Sequence, residues 1–186
     1  MARRPLAVAI TGGIAAGKSE VLAALARRGT ATLSADEVVH RLLAEDEGVR
    51  EAIRARWGDE AVGDRKRIAE IVFHDRAELD WLEQLLHPRT RAAADAWLAT
   101  VDAPVAFVEV PLLYETGGQT RFDKVVVVTA SADVREKRRE GLAEREARLI
   151  SDDEKVRRAD FAYVNDGSLD DLDAFAAGVL EALWPS

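Results

Sequence analysis

The residues with the clearest chemical meaning form one glycine-rich segment near the N-terminus. Residues 12–19 read GGIAAGKS, which matches G-x-x-x-x-G-K-[ST]. Glycines let such a segment turn so that successive N–H groups point into a cavity the size of a phosphate. Lys18 then reaches the β- and γ-phosphates of a nucleotide, and the Ser19 hydroxyl is a ligand for Mg²⁺. The segment predicts a P-loop that binds ATP and Mg²⁺ through Gly12, Gly13, Ile14, Ala15, Ala16, Gly17, Lys18, Ser19 and Glu20.

Two carboxylates are candidates for further roles. An acceptor hydroxyl must lose a proton during phosphoryl transfer, and a nearby carboxylate can take it. Asp36, just beyond the second predicted strand, is the candidate base; alternatively it only favours the N-terminus of its helix. Glu109 lies inside an apolar strand, where acids are rare unless paired or bound to metal. It is either an acid directed at Mg²⁺ through water or half of an inward-facing salt bridge.

Arginines are concentrated in the last third of the chain. Arg135, Arg138 and Arg139 are spaced i, i+3 and i+4, and therefore share a helix face. In P-loop kinases a lid brings such residues to the transferring phosphoryl group and excludes water. We predict Arg139 and Arg145 as the catalytic arginines. The alternative is a solvated helix with Glu–Arg pairs.

The elements that must position these residues alternate between strands and helices. Apolar runs predict strands at 5–11, 30–33, 104–110, 124–129 and 161–164. Helices are predicted at 19–28, 35–43 with Ser34 as cap, 135–158 and 169–183, and through most of 46–102, with turns at 58–63 and a break at Pro88. This order predicts an α/β fold of the P-loop type, a parallel sheet covered by helices on both faces. Ligands of such sheets bind beyond the carboxyl ends of the strands. The helical stretch before residue 104 is too long for one crossover and predicts an inserted lobe.

Six segments, in order, resemble the dephospho-CoA kinase family. They are ITGGIAAGKSEV (10–21), SADEVVHRLL (34–43), DRKRIAEIVF (64–73), LEQLLHP (82–88), VPLLYE (110–115) and ADFAYVNDGS (159–168). The T-G-G-I start, the H-P pair and P-L-L-x-E together separate this family from other P-loop kinases. The resemblance covers almost the whole chain.

The resemblance implies both a reaction and a division of the chain. ATP would phosphorylate the ribose 3′-hydroxyl of dephospho-CoA to give CoA and ADP, the last step of coenzyme A biosynthesis. The chain would form one kinase domain with a nucleotide core at about 1–33, 103–130 and 159–186. A helical lobe for the CoA substrate at about 34–102 and a helical lid at about 131–158 would complete it.

Roles for individual residues follow from the same resemblance. Asp36 matches the second Asp of the family's D-A-D segment, which is the base. Asn165 and Gly167 match its N-x-G near the ATP base, although Asn-Asp-Gly is also an ordinary turn signal. His87 would donate a hydrogen bond to the acceptor nucleotide or, alternatively, only pack; Glu115 would lie at the ligand edge or cap a helix. The implied substrate-binding residues are Asp36, Arg65, His87, Pro88, Leu112 and Glu115.

The chain departs from the family pattern at a few positions. Ser34 replaces the first Asp of D-A-D, which removes one negative charge near the predicted metal. The lid is a few residues short, and Leu149 replaces its usual Gln, so the lid departs most from the family pattern. In the phosphate loop, Ala15 and Ala16 replace the common Gly and Ser, and Glu20 replaces the frequent Thr. Ser19 is intact, so we expect activity to survive.

Composition limits the partners. The 186 residues carry 34 acidic and 26 basic side chains, a net charge of −8, which argues against a nucleic-acid partner. The apolar run after Arg4 is too short for a signal peptide or membrane span. The absence of cysteine favours the cytoplasm. We expect a cytoplasmic monomer acting on small molecules.

Competing hypotheses are a nucleoside or nucleotide monophosphate kinase and a P-loop protein that binds nucleotide without catalysis. The lack of N-K-x-D after the 124–129 strand speaks against a GTPase.

Overall fold

The computed structural model describes residues 4–138 and 149–184. In these residues the strands are β1 (Leu6–Gly12), β2 (Ala31–Ser34), β3 (Val105–Glu109), β4 (Lys124–Thr129) and β5 (Phe161–Val164). They form a parallel sheet in the order β2-β3-β1-β4-β5. Parallel strands buried on both faces have near-continuous apolar sequences, and each was predicted to within one or two residues of its observed bounds. The predicted α/β fold is confirmed.

Helices connect the strands, and four of them lie in the stretch of chain that separates β2 from β3. They are α1 (Lys18–Arg27), α2 (Ala35–Glu45), α3 (Glu47–Trp57), α4 (Arg65–His74), α5 (Arg76–Thr100), α6 (Ala132–Arg138), α7 (Asp152–Arg157) and α8 (Leu169–Leu183). Short 3₁₀ turns lie at Asp59–Ala61 and Gly118–Arg121.

The two faces of the sheet are covered differently. One face packs against α1 and α8 around fully buried residues such as Ile10 and Phe107. On the other face, Val125 and Val127 meet Leu113 and Tyr114, from the segment that follows β3. Ile150 packs there too, and α7 lies against β4. Irregular backbone therefore covers part of the face for which the sequence predicted helices.

The chain divides into two compact units. The first comprises Met1–Ser34 and Thr100–Ser186 and holds the sheet; the second is Ala35–Ala99. The second unit has its own apolar core, formed by Leu43, Val49, Ile53, Ala61, Ile68, Leu82 and Leu86. Asp46 and Asp64 cap α3 and α4 by accepting hydrogen bonds from backbone N–H groups of the first turn.

The predicted helix break at Pro88 is wrong. Helix α5 runs from Arg76 to Thr100 with Pro88 inside it. Proline removes one helical hydrogen bond and crowds the carbonyl four residues earlier. Beside it, the Arg89 guanidinium donates to the Leu85 carbonyl at 2.9 Å and the Thr90 hydroxyl donates to the Leu86 carbonyl at 2.9 Å. Because buried leucines anchor the helix on both sides of Pro88, the local cost does not end it.

A continuous helix over 135–158 is also wrong. Leu149, Ile150 and Ser151 are not helical, and α7 begins at Asp152. Ser151 is the N-cap, and its hydroxyl accepts a hydrogen bond from the Glu154 N–H. The residues S-D-D-E at 151–154 have the spacing of a capping box, so a helix start was visible in the sequence.

Candidate active site

The phosphate loop lies between β1 and α1 and depends on its glycines. Gly12 has φ +143°, and a Cβ there would lie 1.8 Å from the Val128 carbonyl oxygen on the neighbouring strand. Gly17 has φ +92°, and a Cβ there would lie 2.1 Å from the Asn165 Nδ2. Close backbone approach and left-handed geometry thus require glycine at both positions.

Ala15 is the exception within this loop. Its φ is +57°, a conformation that costs a residue with a Cβ about 1–2 kcal/mol. Glycine, common at this position in the family that the sequence resembles, would adopt the conformation without that cost. The replacement of glycine by alanine therefore affects backbone strain and removes no side-chain chemistry.

Lys18 folds over the loop. Its ammonium group donates to the Gly13 carbonyl at 2.8 Å and reaches the Gly12 carbonyl at 3.4 Å. These contacts hold a positive charge beside the loop backbone, in the position where the motif predicts contact with nucleotide phosphates.

Two hydroxyls converge on a buried acid at the carboxyl edge of the sheet. Glu109, the last residue of β3, is 3% exposed. Its Oε1 accepts from the Ser19 hydroxyl at 3.4 Å and its Oε2 accepts from the Ser34 hydroxyl at 3.1 Å. Ser34 was predicted to cap α2, and its hydroxyl instead donates to Glu109. The signal for this arrangement was the acid inside an apolar strand.

This oxygen cluster fits Mg²⁺. Magnesium prefers one or two carboxylates together with water and substrate phosphates, rather than a cage of protein ligands. Ser19 and Glu109 supply oxygens of that type beside the loop. Among residues 4–138 and 149–184, no three His, Asp or Glu side chains form a group that could hold a metal.

Asn165 connects the end of β5 to the phosphate loop. It is 4% exposed, and its side-chain amide donates to the Ala16 carbonyl and to Glu20, both at 3.0 Å. Arg138 reinforces the contact by donating to the Ala15 carbonyl at 3.2 Å and the Asn165 carbonyl at 3.4 Å. Glu20, which replaces the family's usual Thr, accepts from Asn165 and lies 3.8 Å from Arg138. Asn165 therefore supports the loop, whereas its role near the ATP base stays a prediction, as does that of Gly167.

A cavity of about 230 Å³ opens against the phosphate loop. Gly13 and Ile14 of the loop form one side, and Arg135 of α6 and the 149–153 segment form most of the rest. The Arg135 guanidinium lies 3.8 Å from the Asp152 carboxylate. A guanidinium and a carboxylate thus lie side by side next to the phosphate loop.

A buried ion pair fixes the wall of this cavity. Lys155 is fully buried, and its ammonium lies 2.8 Å from Glu115 Oε1. The same carboxylate oxygen accepts a hydrogen bond from the Ile150 N–H at 3.3 Å. Glu115 thereby connects the segment after β3 to both ends of the 150–155 segment. Lys155 was not predicted from the sequence, since one lysine in a highly charged segment carries no signal of burial.

Most of the remaining predicted residues lie in the second unit or outside the described ranges. Asp36 is exposed in the first turn of α2. Arg65 begins α4, and its Nη1 lies 3.5 Å from His40 Nδ1. His87 and Pro88 lie in α5, half-buried and exposed respectively. Arg139 and Arg145 lie outside the described residues. In the first unit, Leu112 follows β3 and is half-buried.

The parallel sheet, the glycine loop and the lysine and serine that follow it define a P-loop nucleotide-binding protein. The family model CoaE, dephospho-CoA kinase, matches residues 6–171. The chain therefore belongs to the dephospho-CoA kinase family, as its sequence segments predicted.

Individual relatives agree with this assignment. A dephospho-CoA kinase from Mesorhizobium japonicum is 40% identical over 171 residues, covering 84% of this chain and 85% of that protein. One from Synechococcus is 38% identical over 180 residues, covering 89% and 90%. The structure of dephospho-CoA kinase from Campylobacter jejuni matches with a TM-score of 0.70 at 27% identity, covering 97% of this chain and 98% of that one. Across the described residues, no helix has the length and apolar character needed to cross a membrane.

Proposed function

We propose that this protein transfers the γ-phosphoryl group of ATP to the ribose 3′-hydroxyl of dephospho-CoA, giving CoA and ADP in the last step of coenzyme A biosynthesis. The observation that carries the proposal is the edge of the sheet where the phosphate loop, Ser19 and buried Glu109 meet. Membership of the family adds the acceptor. The lack of cysteine supports a cytoplasmic location, and we propose that the enzyme acts there as a monomer.

In this proposal the loop and its neighbours bind and orient the nucleotide. Backbone N–H groups of 12–19 surround the phosphates, and Lys18 moves its ammonium from the loop carbonyls to phosphate oxygens. Ser19 would hold Mg²⁺, with Glu109 orienting the hydroxyl and the metal's water ligands. When bound, Mg²⁺ supplies charge neutralisation on the β- and γ-phosphates.

The acceptor side of the proposal rests on the residues that the family resemblance singles out. Asp36 would accept the proton of the 3′-hydroxyl, because it is an exposed carboxylate directly after the edge of the sheet. Arg65, His87, Pro88, Leu112 and Glu115 would bind dephospho-CoA. We keep Arg139 and Arg145 as the proposed catalytic arginines.

Formation of CoA by the purified protein tests the reaction. With Mg-ATP and dephospho-CoA, we expect stoichiometric CoA and ADP, whereas AMP, CMP and nucleosides should give little ADP. Preference for a nucleoside or nucleotide monophosphate would instead identify the competing kinase class. Nucleotide binding without turnover of any acceptor would indicate a non-catalytic P-loop protein.

Replacing Asp36 tests the base. We expect Asp36→Ala to bind ATP like the wild type and to lower kcat about 10²-fold or more, since proton transfer loses its acceptor. Glu37→Ala is the matched control, because Glu37 is the adjacent exposed acid of the same helical turn. Equal kcat values for the two variants would remove Asp36 from the role of base.

A further inference from the structure

The pair formed by Arg135 and Asp152 has no role in the function proposed so far. Both side chains line the cavity against the phosphate loop. The Arg135 side chain is 16% exposed and that of Asp152 is 26% exposed, so each remains partly accessible. Arg135 Nη1 lies 3.8 Å from Asp152 Oδ2, which is longer than the hydrogen bonds of a bidentate arginine–carboxylate pair.

Both groups also approach the same residue of the loop. A Cβ on Gly13 would lie 2.9 Å from Asp152 Oδ2 and 3.3 Å from Arg135 Nη1. Gly13 is the second residue of the phosphate-binding motif, so its surroundings are those of the bound nucleotide. A phosphoryl group in the cavity would therefore approach a guanidinium, which attracts it, and a carboxylate, which repels it.

We propose that Arg135 contacts the γ-phosphoryl group of ATP and that Asp152 holds this arginine in the nucleotide-free enzyme. Binding of ATP exchanges one anionic partner of Arg135 for another: the carboxylate leaves and phosphate oxygens take its place. No covalent bond changes in this exchange. The inference deepens the proposed function, and requires that the phosphate loop binds ATP, but it does not depend on which acceptor is phosphorylated.

Contacts in the wall of the cavity allow the exchange to involve side chains only. Glu115 fixes Ile150 and Lys155 on either side of Asp152, and Ser151 caps α7 directly before it. The backbone around Asp152 is thereby held, and a change of side-chain rotamer is enough to release Arg135. Arginine suits this role because its planar group of donors matches phosphate oxygens in a bidentate way.

Affinities for ATP and ADP, measured by calorimetry with Mg²⁺ and no acceptor, test the proposal. We expect Arg135→Gln to weaken ATP binding about ten- to hundredfold, the range for losing one charge-assisted contact, and to weaken ADP binding much less. Arg135→Lys, which keeps the charge, should lose a smaller factor. Arg157→Gln is the matched control, because it removes one arginine charge from an exposed position on α7.

The Asp152→Asn variant distinguishes the proposed exchange of partners by Arg135 from a role of Asp152 that is only structural. Removing the competing carboxylate should tighten ATP binding several-fold relative to Asp133→Asn, an exposed acid on α6. Three results would overturn the proposal: ATP affinity of Arg135→Gln equal to that of its control, equal losses for ATP and ADP, or weaker ATP binding by Asp152→Asn. If Arg135→Gln does not fold, the ATP-to-ADP comparison in Arg135→Lys decides. Absence of CoA formation with normal nucleotide affinities would contradict only the proposed acceptor.

Discussion

In the unit that carries the phosphate loop, buried polar groups and close backbone contacts fix the site, whereas Ala35–Ala99 is held by an aliphatic core under a charged surface. All of the buried polar residues in the described part of the chain belong to the first unit: Thr11, Glu109, Thr129, Lys155 and Asn165. The ion pairs recorded within the second unit, such as Arg56–Glu78 and Arg76–Asp80, are exposed or half-exposed.

The difference concerns which substitutions each unit tolerates. Apolar cores accept changes that keep volume, while a buried polar group that loses its partner retains its full desolvation cost. In the first unit, the loss of one atom or contact should therefore cost much stability, whereas in the second unit the loss should increase with the volume removed. Substitutions in both units test this contrast, and the most damaging one comes first.

Gly12→Ala should be the most damaging change. The new Cβ would overlap the Val128 carbonyl oxygen, which belongs to a buried strand and cannot move aside. We expect a loss of about 4 kcal/mol or more in the free energy of unfolding, together with loss of ATP binding. Denaturant unfolding followed by circular dichroism measures the first quantity.

Gly178→Ala is the matched control for this change. Gly178 lies in α8, and apart from its own helix backbone nothing lies within 4 Å of the position that an alanine Cβ would take. Alanine should therefore stabilise the helix by up to about 1 kcal/mol. Similar effects of the two substitutions would contradict the importance of close backbone contact in the loop.

Lys155→Met should have the next largest effect. It leaves the Glu115 carboxylate, whose Oε2 is buried, without its counter-charge, and breaking such a pair costs about 3–5 kcal/mol. The double variant Lys155→Met, Glu115→Met should regain most of that loss, because no charge is then left buried. Denaturant unfolding of Lys155→Met, Glu115→Met and the double variant measures this. If the loss in the double variant equals the sum of the two single losses, the two residues do not stabilise the protein as a pair.

The sequence was sufficient for the sheet because the chemistry of its strands is local. Strand β4 and helix α8 have the same bounds as predicted, since an apolar run or a capped amphipathic stretch is visible in a few neighbouring residues. The phosphate loop was visible for the same reason. By contrast, the continuation of α5 through Pro88 depends on the packing of Leu82 and Leu86 against residues of other helices, such as Ile53, which no local pattern records.

The candidate site was predictable only in part. The loop, Glu109 and Glu115 were singled out, but the partners that determine their behaviour are far away in sequence. Ser34 is 75 positions from Glu109, and Asn165 is 149 positions from Ala16. The pairing of Arg135 with Asp152 was equally hidden, because a segment rich in Arg, Asp and Glu allows many pairs and the fold selects one.

The smallest predicted effect concerns the surface of the second unit. Glu78 accepts hydrogen bonds from the Arg56 guanidinium and from the Trp57 indole N–H at 2.7 Å. The Arg56 hydrogen bond, followed by that of Trp57, lowers the pKa of Glu78 below its usual range. A carboxyl with a lowered pKa in the folded state stabilises the protein above its unfolded-state pKa, and this contribution is lost as the pH falls towards the folded-state value.

Wild-type protein should therefore be more stable than Glu78→Gln at about pH 6, and the gap should shrink between about pH 5 and pH 3. Tryptophan fluorescence measures unfolding here, since Trp57, Trp81 and Trp97 all lie in the second unit. Glu51→Gln, an exposed acid on α3, is the control and should show a nearly constant gap. A gap for Glu78→Gln that does not change with pH would mean that the charge of Glu78 is not what stabilises this surface.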